Sequence, residues 1–341
     1  CGKPYRGFES RPLRQKWLIV KHHPNPVTRN SKIYVAGHTG MVGSALVRCL
    51  RRNGYKNLIL ATRAQLNLEK QQDVYNFLND KKPDYIFMAA ARVGGIAANN
   101  KYRAEFIFEN IIIQTNIIHG AWLAGTHKMM FLGSSCVYPK NIMHPIKEQD
   151  LLSGYLESTN EPYAIAKIAG IKMCESYNKQ YGTKYISVMP TNLYGINDHY
   201  NLDNCHVLPA LIRKAHEAKI WNKNELVVWG TGSPKREFLY IDDLADACIV
   251  IMEHSNPIDD LINIGCGSDV SIKELAETIS DIIGFRGKII FDSQKPDGIA
   301  RKLLDVSKIN QIGWNYKTSL REGLKLTYQD FINQFTTYNQ E

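Results

Sequence analysis

From residue 31 onward, the chain alternates short apolar runs with segments in which apolar residues recur every three or four positions. Because strands and amphipathic helices have these two different periods, the runs predict strands and the segments predict helices. Alternation at this spacing predicts an α/β fold, a doubly wound parallel sheet covered on both faces. The predicted strands are 32–36, 57–61, 84–88, 128–132, 184–189 and 261–264, and the predicted helices are 41–53, 69–79, 104–124, 162–181 and 243–253.

The rhythm changes after about residue 195. Residues 196–235 show no clear period, and 265–341 mix short elements with a turn signal at 295–298. We therefore expect these two stretches to form a smaller C-terminal α/β lobe that binds substrate. The nucleotide-binding domain is expected at 31–195, with segments near 236–264 returning to it.

The helix predicted at 104–124 is apolar on nearly every side. A helix without a polar face is buried from more than one direction. It is either a central helix of one subunit, or a helix that packs both on the sheet and on its copy in a second subunit. In the second case helix 162–181 is the natural neighbour, and the sequence predicts a homodimer with a four-helix interface.

The net charge of +9 is unevenly distributed along the chain. Residues 1–30 hold seven Lys or Arg and one Glu (+6), which leaves 35 basic and 32 acidic residues (+3) for the remainder. We expect the first 30 residues to form a basic, disordered extension, and we expect no nucleic-acid partner. No apolar run approaches the roughly 20 residues that span a bilayer, so no membrane partner is expected either.

The seven cysteines form no C-x-x-C pair and no zinc spacing. An odd and scattered set of cysteines is typical of a reducing compartment. We therefore expect a cytoplasmic protein without a metal site or a disulfide framework. The cysteines are at 1, 49, 136, 174, 205, 248 and 266.

A glycine-rich segment follows the first predicted strand and opens the first predicted helix. A strand, a glycine turn and a helix in this order form the Rossmann-type dinucleotide site, in which phosphates lie at the helix N-terminus. The second strand ends in Thr62 and Arg63, where an NAD site usually has Asp or Glu. Arg63 favours NADP(H), because a guanidinium binds the 2′-phosphate. The glycine-rich segment reads Gly37-His38-Thr39-Gly40-Met41-Val42-Gly43.

Tyr163 and Lys167 are four residues apart in a predicted helix, so their side chains lie on one face of it. An ammonium near a phenol lowers the pKa of the phenol, which lets Tyr163 exchange a proton near neutral pH. Ser134 lies just past a predicted strand and can hydrogen-bond a substrate oxygen beside the tyrosine. With the glycine turn, this trio predicts hydride chemistry on a nicotinamide cofactor. Cys136, two residues beyond the serine, is either a buried small hydrophobe or a reactive group.

Longer motifs resemble the GDP-L-fucose synthase family, a group of extended short-chain dehydrogenase/reductases that act as GDP-4-keto-6-deoxy-D-mannose 3,5-epimerase/4-reductases. The resemblance covers roughly 31–335. It is carried by the glycine turn and by Ala89-Ala90-Ala91-Arg92-Val93-Gly94-Gly95-Ile96, Leu132-Gly133-Ser134-Ser135-Cys136-Val137-Tyr138-Pro139, Asn160-Glu161-Pro162-Tyr163-Ala164-Ile165-Ala166-Lys167, Val188-Met189-Pro190-Thr191-Asn192-Leu193-Tyr194-Gly195, Val228-Trp229-Gly230, Arg236-Glu237-Phe238 and Lys295-Pro296-Asp297-Gly298.

The resemblance implies conversion of GDP-4-keto-6-deoxy-D-mannose to GDP-L-fucose with NADP(H). It implies that Cys136 and His206 are the base and the acid for epimerisation at C3 and C5. Ser134 and Tyr163 would hold the enolate oxygen, as in an oxyanion hole. Tyr163 would then protonate the C4 oxygen, while Lys167 lowers the pKa of the tyrosine and binds the nicotinamide ribose.

The resemblance also implies two sets of binding residues. The substrate set holds the diphosphate and guanine side and consists of Lys214, Trp229, Arg236 and Asp297. Two residues depart from the family pattern, since Thr39 and Lys214 stand where Arg is common, and a Lys lacks the bidentate fork of Arg. The implied cofactor set is Gly37, His38, Thr39, Gly40, Met41, Val42, Gly43, Arg63, Leu68, Leu132, Gly133, Ser135, Lys167, Pro190, Thr191, Asn192, Leu193 and His206.

Two other functions remain open on the sequence. A nucleotide-sugar 4,6-dehydratase or 4-epimerase has the same fold, but a dehydratase needs a carboxylic acid/base pair near Ser134, and this chain has Ser135 and Cys136 there. A non-catalytic NADP-binding sensor would usually have lost Tyr163 or Lys167, and both are present. The epimerase/reductase is therefore the favoured reading.

Overall fold

The computed structural model describes residues 27–126, 128–203, 205–254, 261–295 and 297–338. Strands and helices are numbered in chain order. The strands are β1 (Ile33–Ala36), β2 (Leu58–Ile59), β3 (Tyr85–Met88), β4 (Lys128–Leu132), β5 (Lys184–Pro190), β6 (Asn192–Tyr194), β7 (Glu225–Trp229), β8 (Lys235–Arg236), β9 (Phe238–Tyr240), β10 (Leu261–Ile264), β11 (Val270–Ser271), β12 (Lys288–Asp292) and β13 (Arg301–Lys302). The helices are α1 (Met41–Arg52), α2 (Gln71–Lys81), α3 (Ile96–Lys101), α4 (Arg103–Leu123), α5 (Glu161–Tyr181), α6 (Val207–Ile220), α7 (Ile241–Glu253), α8 (Ile272–Ile283), α9 (Ser307–Gln311) and α10 (Leu320–Tyr338).

The main sheet has six parallel strands in the order β10-β5-β4-β3-β1-β2. Side chains of β1 alternate between its two faces, so Ile33 and Val35 join one core while Tyr34 and Ala36 join the other. Helices α1 and α7 pack together on the first face, and α2, α4 and α5 pack on the second. The predicted doubly wound α/β fold is confirmed, and each of the six predicted strands is present.

Beyond β5 the chain is more regular than its sequence pattern indicates. Residues 196–235 were expected to be irregular, but they contain α6 and β7, and β7 pairs with β12 in parallel. Helix α6 packs on α8, which also packs on α10. Pro209 made a helix hard to predict from the sequence of α6. A proline is tolerated there because it lies in the first turn, where no intrahelical N–H bond is lost.

Two short strands bring distant parts of the chain into register. Strand β13 lies parallel to β8, so Lys302 is beside Arg236 although 66 residues separate them in the chain. Strand β6 likewise pairs with β9, which follows β8 after one residue. These pairings place side chains of the second lobe at the carboxyl edge of the main sheet.

Helix α4 buries three amide side chains together with apolar ones such as Ile117 and Ile118, and it exposes Phe108. Asn110, Gln114 and Asn116 are buried, and their side-chain NH2 groups donate to the backbone carbonyls of Phe106, Ala166 and Leu68. By contrast, Phe108 is 61% exposed. Within one subunit, the expectation that this helix is buried on both sides is therefore wrong.

The predicted extension at 1–30 lies largely outside the described residues, but its last four residues are described and pack on the fold. Arg29 forms an ion pair with Glu253, and its guanidinium lies 4.4 Å from the ring centre of Tyr55. The described structure therefore includes residues before the boundary expected at residue 31. None of the described helices is both long enough and apolar enough to cross a bilayer.

Candidate active site

The glycine turn between β1 and α1 is shaped by close backbone contacts. Gly37 has φ of +80°, and a Cβ atom there would lie 2.8 Å from the backbone of Ala90. A Cβ at Gly43 would lie 2.1 Å from the carbonyl oxygen of Gly37. Both positions therefore require glycine, because only glycine lets the start of the helix approach the end of the strand this closely.

The turn presents polar groups that fit a dinucleotide phosphate. Helix α1 starts at Met41 and Val42 without a side-chain cap, so its first amides are free to bind an anion. Within the described residues, the Nδ1 atom of His38 is buried without a hydrogen-bond partner. Thr39 and Gly40 are exposed at the turn, and the carbonyl of Thr39 accepts a hydrogen bond from Asn197.

Arg63 and Leu68 lie beyond the end of β2. The guanidinium of Arg63 is exposed and donates to Glu69, with 2.8 Å between Nη2 and Oε1. The backbone of Leu68 is fixed, because its carbonyl accepts from the buried Asn116. Arg63, which the sequence analysis assigned to the 2′-phosphate, is thus already paired within the chain.

The end of β4 supplies backbone positions of the predicted cofactor set. The amide of Gly133 donates to the carbonyl of Val188 on β5 at 2.8 Å. Ser135 is buried and opens a single 3₁₀ turn that ends at Val137. This turn directs the chain away from the sheet edge and positions Ser134 and Cys136.

Tyr163 lies in the first turn of α5, facing the end of β4. A hydrogen bond with Ser134 lowers its pKa, but burial and the nearby Cys136 thiol raise the pKa by more, so it lies well above its usual value. The ring of Phe106 packs against the phenol, and the two ring centres are 6.4 Å apart. The lowering expected from Lys167 is therefore not present in the ligand-free protein.

Lys167 lies one turn further along α5, on the same face as the tyrosine. Its Nζ is 5.8 Å from the ring centre of Tyr163 and 2.7 Å from the carbonyl oxygen of Leu132, to which it donates. The side chain is almost fully buried, and burial lowers its pKa to about 7. The ammonium is held at the sheet edge by a single carbonyl, without a carboxylate partner among the contacts of the described residues.

Replacing Lys167 by Met is expected to stabilise the ligand-free protein in a pH-dependent way. Between pH 7 and 10.5 the unfolded chain binds a proton that the folded chain does not, so the unfolding free energy of the native protein rises with pH across this window. The variant lacks this dependence. Its unfolding free energy relative to the native protein should therefore be about 4 kcal/mol higher at pH 7 than at pH 10.5.

Urea unfolding at both ends of that pH window measures the difference. The lost bond to Leu132 costs the variant the same free energy at each pH, so it cancels in the comparison. Parallel stability curves for the two proteins would contradict a lowered pKa for Lys167.

Cys136 has a cationic neighbour that the sequence analysis missed. The Nζ of Lys302 lies 3.5 Å from the Sγ atom, and Arg236 also interacts electrostatically with the thiol. The amide of Cys136 donates to the Oγ of Ser134 at 3.2 Å, which fixes the thiol beside the predicted trio. The sulfur of Cys136 therefore lies beside two cationic side chains.

His206 directly precedes the first residue of α6, and part of the residue is exposed to solvent. Burial among the surrounding groups, and secondarily the charge of Lys302, lower the pKa of the imidazole. The ring is therefore mostly neutral at neutral pH in the ligand-free protein. An acid role for His206 requires the protonated minority, which negative charge on a bound ligand would increase.

The segment at the end of β5, residues 190–193, carries the next residues of the predicted cofactor set. Pro190 ends the strand, and the amide of Thr191 donates to the carbonyl of Ile264 at 3.0 Å. The side chain of Asn192 donates to the carbonyl of Glu237 at 2.8 Å, and that of Thr191 to the same oxygen at 3.2 Å. Leu193 continues into β6 and is half-buried. The residues implied as the nicotinamide side are thus tied directly to Glu237.

Glu237 was quoted within a motif but was not predicted as a site residue. Its fully buried carboxylate accepts from three backbone amides, those of Cys266 (2.7 Å), Gly267 (2.7 Å) and Leu304 (3.0 Å). Burial raises its pKa, while the three N–H groups act in the opposite direction. Since it directly follows Arg236, Glu237 fixes the strand that carries the guanidinium.

The predicted substrate residues lie in the second lobe. The indole of Trp229 is 61% exposed, and the ammonium groups of Lys214 and Lys295 lie 5.0 and 5.4 Å from its ring centre. Both cations are suited to a phosphate-bearing ligand beside an aromatic surface. Lys295 was quoted within a motif but was not predicted as a binding residue.

Asp297 and Arg236 are engaged within the chain. The carboxylate of Asp297 accepts from the amide of Thr231 at 2.9 Å and from its hydroxyl at 2.7 Å. The guanidinium of Arg236 donates to the carbonyls of Lys235 and Ile299. Pro296, between the turn residues, lies outside the described residues. These contacts leave several N–H groups of Arg236 for an anion, whereas Asp297 would have to share its oxygens with a ligand.

The arrangement brings together groups suited to proton transfer and to hydride chemistry. Across the described part of the chain, no group of three or more His, Cys, Asp or Glu side chains is placed to bind a metal ion. The glycine turn, the end of β4 and the segment after β5 line one continuous edge, at the carboxyl ends of parallel strands, where ligands of such sheets bind.

Comparisons with known proteins agree with this geometry. A family model described as the NAD dependent epimerase/dehydratase family matches residues 33–265. GDP-L-fucose synthase 1 of Arabidopsis thaliana is 54% identical over 304 residues, which cover 89% of this chain and 94% of that protein. GDP-L-fucose synthase of Escherichia coli (strain K12) is 51% identical over 309 residues, 88% of this chain and 96% of that protein. A solved structure of MlghC, a GDP-mannoheptose C4 reductase from Campylobacter jejuni with NADP bound, is 42% identical with a TM-score of 0.82, covering 90% of this chain and 99% of that chain.

Proposed function

The chain belongs to the NAD dependent epimerase/dehydratase family, and we propose that it converts GDP-4-keto-6-deoxy-D-mannose to GDP-L-fucose. The reaction is a 3,5-epimerisation followed by NADPH-dependent reduction of the C4 ketone. The observation that carries the proposal is the convergence of two chemistries at one sheet edge. The Sγ atom of Cys136 lies 3.5 Å from Nζ of Lys302. This pair is next to the trio of Ser134, Tyr163 and Lys167.

Epimerisation starts from the C4 ketone, which makes the protons on C3 and C5 acidic. Cys136, with the ammonium of Lys302 3.5 Å from its sulfur, removes a proton from one face of the sugar. The negative charge moves to the C4 oxygen, where the hydroxyls of Ser134 and Tyr163 donate hydrogen bonds. His206 returns a proton on the opposite face, and the configuration at that carbon is inverted.

Reduction uses the same oxygen contacts. Bound NADPH supplies the hydride that is delivered to C4. Tyr163 donates its phenolic proton to the C4 oxygen as charge develops there. Lys167 lies where its ammonium stabilises the resulting phenolate, since both side chains are on one face of α5 and 5.8 Å separates the Nζ from the ring centre.

The second lobe supplies the binding of the nucleotide diphosphate. Arg236 is fixed by carbonyl contacts beside Cys136, so a diphosphate bound to its remaining N–H groups holds the sugar at the thiol. Trp229 offers an exposed aromatic face with Lys214 and Lys295 beside it for the base end. The carboxylate of Asp297 is a suitable acceptor for an exocyclic amine of guanine.

The test is incubation of the full chain with GDP-4-keto-6-deoxy-D-mannose and NADPH, followed by loss of NADPH absorbance and NMR of the sugar. Formation of GDP-L-fucose would support the proposal. Reduction at C4 without inversion at C3 and C5 would instead favour a C4 reductase, the activity named for the Campylobacter relative. Tight NADPH binding without turnover would overturn the proposal in favour of a non-catalytic sensor.

We also propose that the enzyme is a homodimer through α4 and α5. These helices pack on each other and carry exposed apolar side chains, Phe108 at 61% and Ile165 at 40%. Ile117 and Ile118 of α4 are buried on the sheet, whereas Phe108 and Ile165 project to solvent, where a second subunit could cover them. Among the described residues all six cysteines are free, which supports a reducing compartment such as the cytoplasm.

A Phe108→Glu, Ile165→Arg double variant is expected to be monomeric at micromolar concentration, where the native protein is a dimer. Charges on an apolar interface lose the burial that drives association. Sedimentation velocity measures the outcome. Met143→Glu serves as the control, because Met143 is 91% exposed outside both helices and its variant should remain dimeric. A native protein that sediments as a monomer would refute the interface.

A further inference from the structure

We propose that Glu69 sets the cofactor preference of this enzyme by competing with the 2′-phosphate of NADPH for Arg63. The inference rests on the proposed function, in which Arg63 is the residue that distinguishes NADPH from NADH. The Oε1 atom of Glu69 lies 2.8 Å from Nη2 of Arg63. The guanidinium therefore already has an anion as its partner before any cofactor binds.

The carboxylate is the better fixed member of this pair. The side chain of Glu69 is 28% exposed, whereas that of Arg63 is 78% exposed. The amide of Glu69 donates to the side chain of Asn67 at 3.0 Å, and the preceding carbonyl, of Leu68, accepts from the buried Asn116. The amide of Lys70, on the other side of Glu69, donates to the carbonyl of Asn67 at 3.1 Å. Because the backbone is held before and after Glu69, an entering phosphate would move the guanidinium and leave the carboxylate in place.

The charges of Arg63 and Glu69 determine how strongly this competition affects NADPH binding. Arg63 and Glu69 together carry no net charge, and the neighbouring turn offers Thr39 rather than a second cation. A phosphate dianion binding Arg63 must therefore displace a carboxylate and then remain close to it. The 2′-hydroxyl of NADH is neutral and meets no such repulsion, and a carboxylate can accept its hydrogen bond. Glu69 therefore narrows the difference between the two cofactors.

The prediction is a gain of affinity. Glu69→Gln keeps the size of the side chain and removes its charge, so the Kd for NADPH should fall about threefold to tenfold, the range for an exposed charge close to a dianion. The Kd for NADH should stay within about twofold. The gain should shrink at high salt, because exposed charges are screened.

The experiment measures Kd for NADPH and for NADH by fluorescence on the full chain without sugar. Native protein, Glu69→Gln, Arg63→Ala and the double variant are compared. In the Arg63→Ala background NADPH should bind more weakly, NADH should be little affected, and Glu69→Gln should then have less effect on NADPH than it has alone. Glu277→Gln on α8 is the control for loss of one negative charge, since it removes an exposed carboxylate in the second lobe.

Three results would overturn the inference. The first is an unchanged Kd for NADPH in Glu69→Gln. The second is a higher Kd for NADPH, which would mean that Glu69 orients Arg63 for the phosphate. The third is an equal fall of the Kd for NADPH and for NADH. A native protein that binds neither cofactor would instead overturn the proposed function. If NADPH binds and Arg63→Ala loses the two cofactors equally, the role of Arg63 fails while the reductase assignment stands.

Discussion

Replacing Cys136 by Ser is expected to reduce solvent deuterium incorporation at C3 and C5 by about 10²- to 10⁴-fold, the usual contribution of a positioned base. A serine hydroxyl does not ionise near neutral pH, so the ammonium of Lys302, 3.5 Å from the sulfur, would have no thiolate to stabilise. Binding of NADPH should change little, because the thiol lies on the substrate side of the trio, between Ser134 and Arg236.

The measurement is NMR of GDP-4-keto-6-deoxy-D-mannose incubated with the variant in D2O, with NADPH omitted so that reduction cannot occur. Cys266→Ser is the matched control, since Cys266 is also a half-buried free thiol but contacts the carbonyl of Phe238 at 3.4 Å. It should exchange both protons at close to the native rate. Exchange at the native rate in Cys136→Ser would exclude the thiol as the base.

Replacing Tyr163 by Phe is expected to lower the rate of NADPH oxidation by about 10²- to 10⁴-fold. The ring still packs against Phe106, but the proton donor for the C4 oxygen is lost, and Ser134 loses its partner. Deuterium incorporation should fall less, because Ser134 and the Cys136–Lys302 pair remain. The two variants therefore separate the two half-reactions, since each is most damaged in a different assay.

Single-turnover NADPH oxidation and deuterium exchange on the same preparation measure this separation. Tyr328→Phe provides the control for loss of a phenolic hydroxyl, because its hydroxyl bonds His216 at 2.9 Å in the second lobe. Its turnover should remain within about twofold of native. Reduction in Tyr163→Phe within tenfold of native would contradict the acid role.

Local signals were sufficient for the nucleotide half of the fold. The strand at Ile33–Ala36, the glycines at 37 and 43 and the helix that follows are specified by neighbouring residues, so their pattern can be read directly. Ser134, Tyr163 and Lys167 were predicted because they follow a strand or share a helix face, whereas the role of Cys136 was implied by the resemblance. The structure brings these four together at the carboxyl edge of the sheet.

Residues placed by non-local pairing could not be found in this way. Lys302 reaches Cys136 only because the two-residue strand β13 lies beside β8, and no periodicity announces so short a strand. The carboxylate of Glu237 accepts hydrogen bonds from backbone amides of two distant segments, and a local sequence pattern cannot reveal such contacts. The pKa of Tyr163 was also misjudged, because its burial outweighs the favourable hydrogen bond.

The uncompensated amine of Lys167 also bears on how long the protein survives in a cell. Burial lowers the pKa of this amine and so reduces the stability of the fold near neutral pH. A nucleotide that binds only the folded chain adds stability, so an unoccupied molecule opens more often than one that holds its nucleotide. Proteases act on opened molecules, and their rate follows the population of that form. We therefore expect the abundance of this enzyme to follow the supply of reduced nucleotide, with molecules that lack it degraded first.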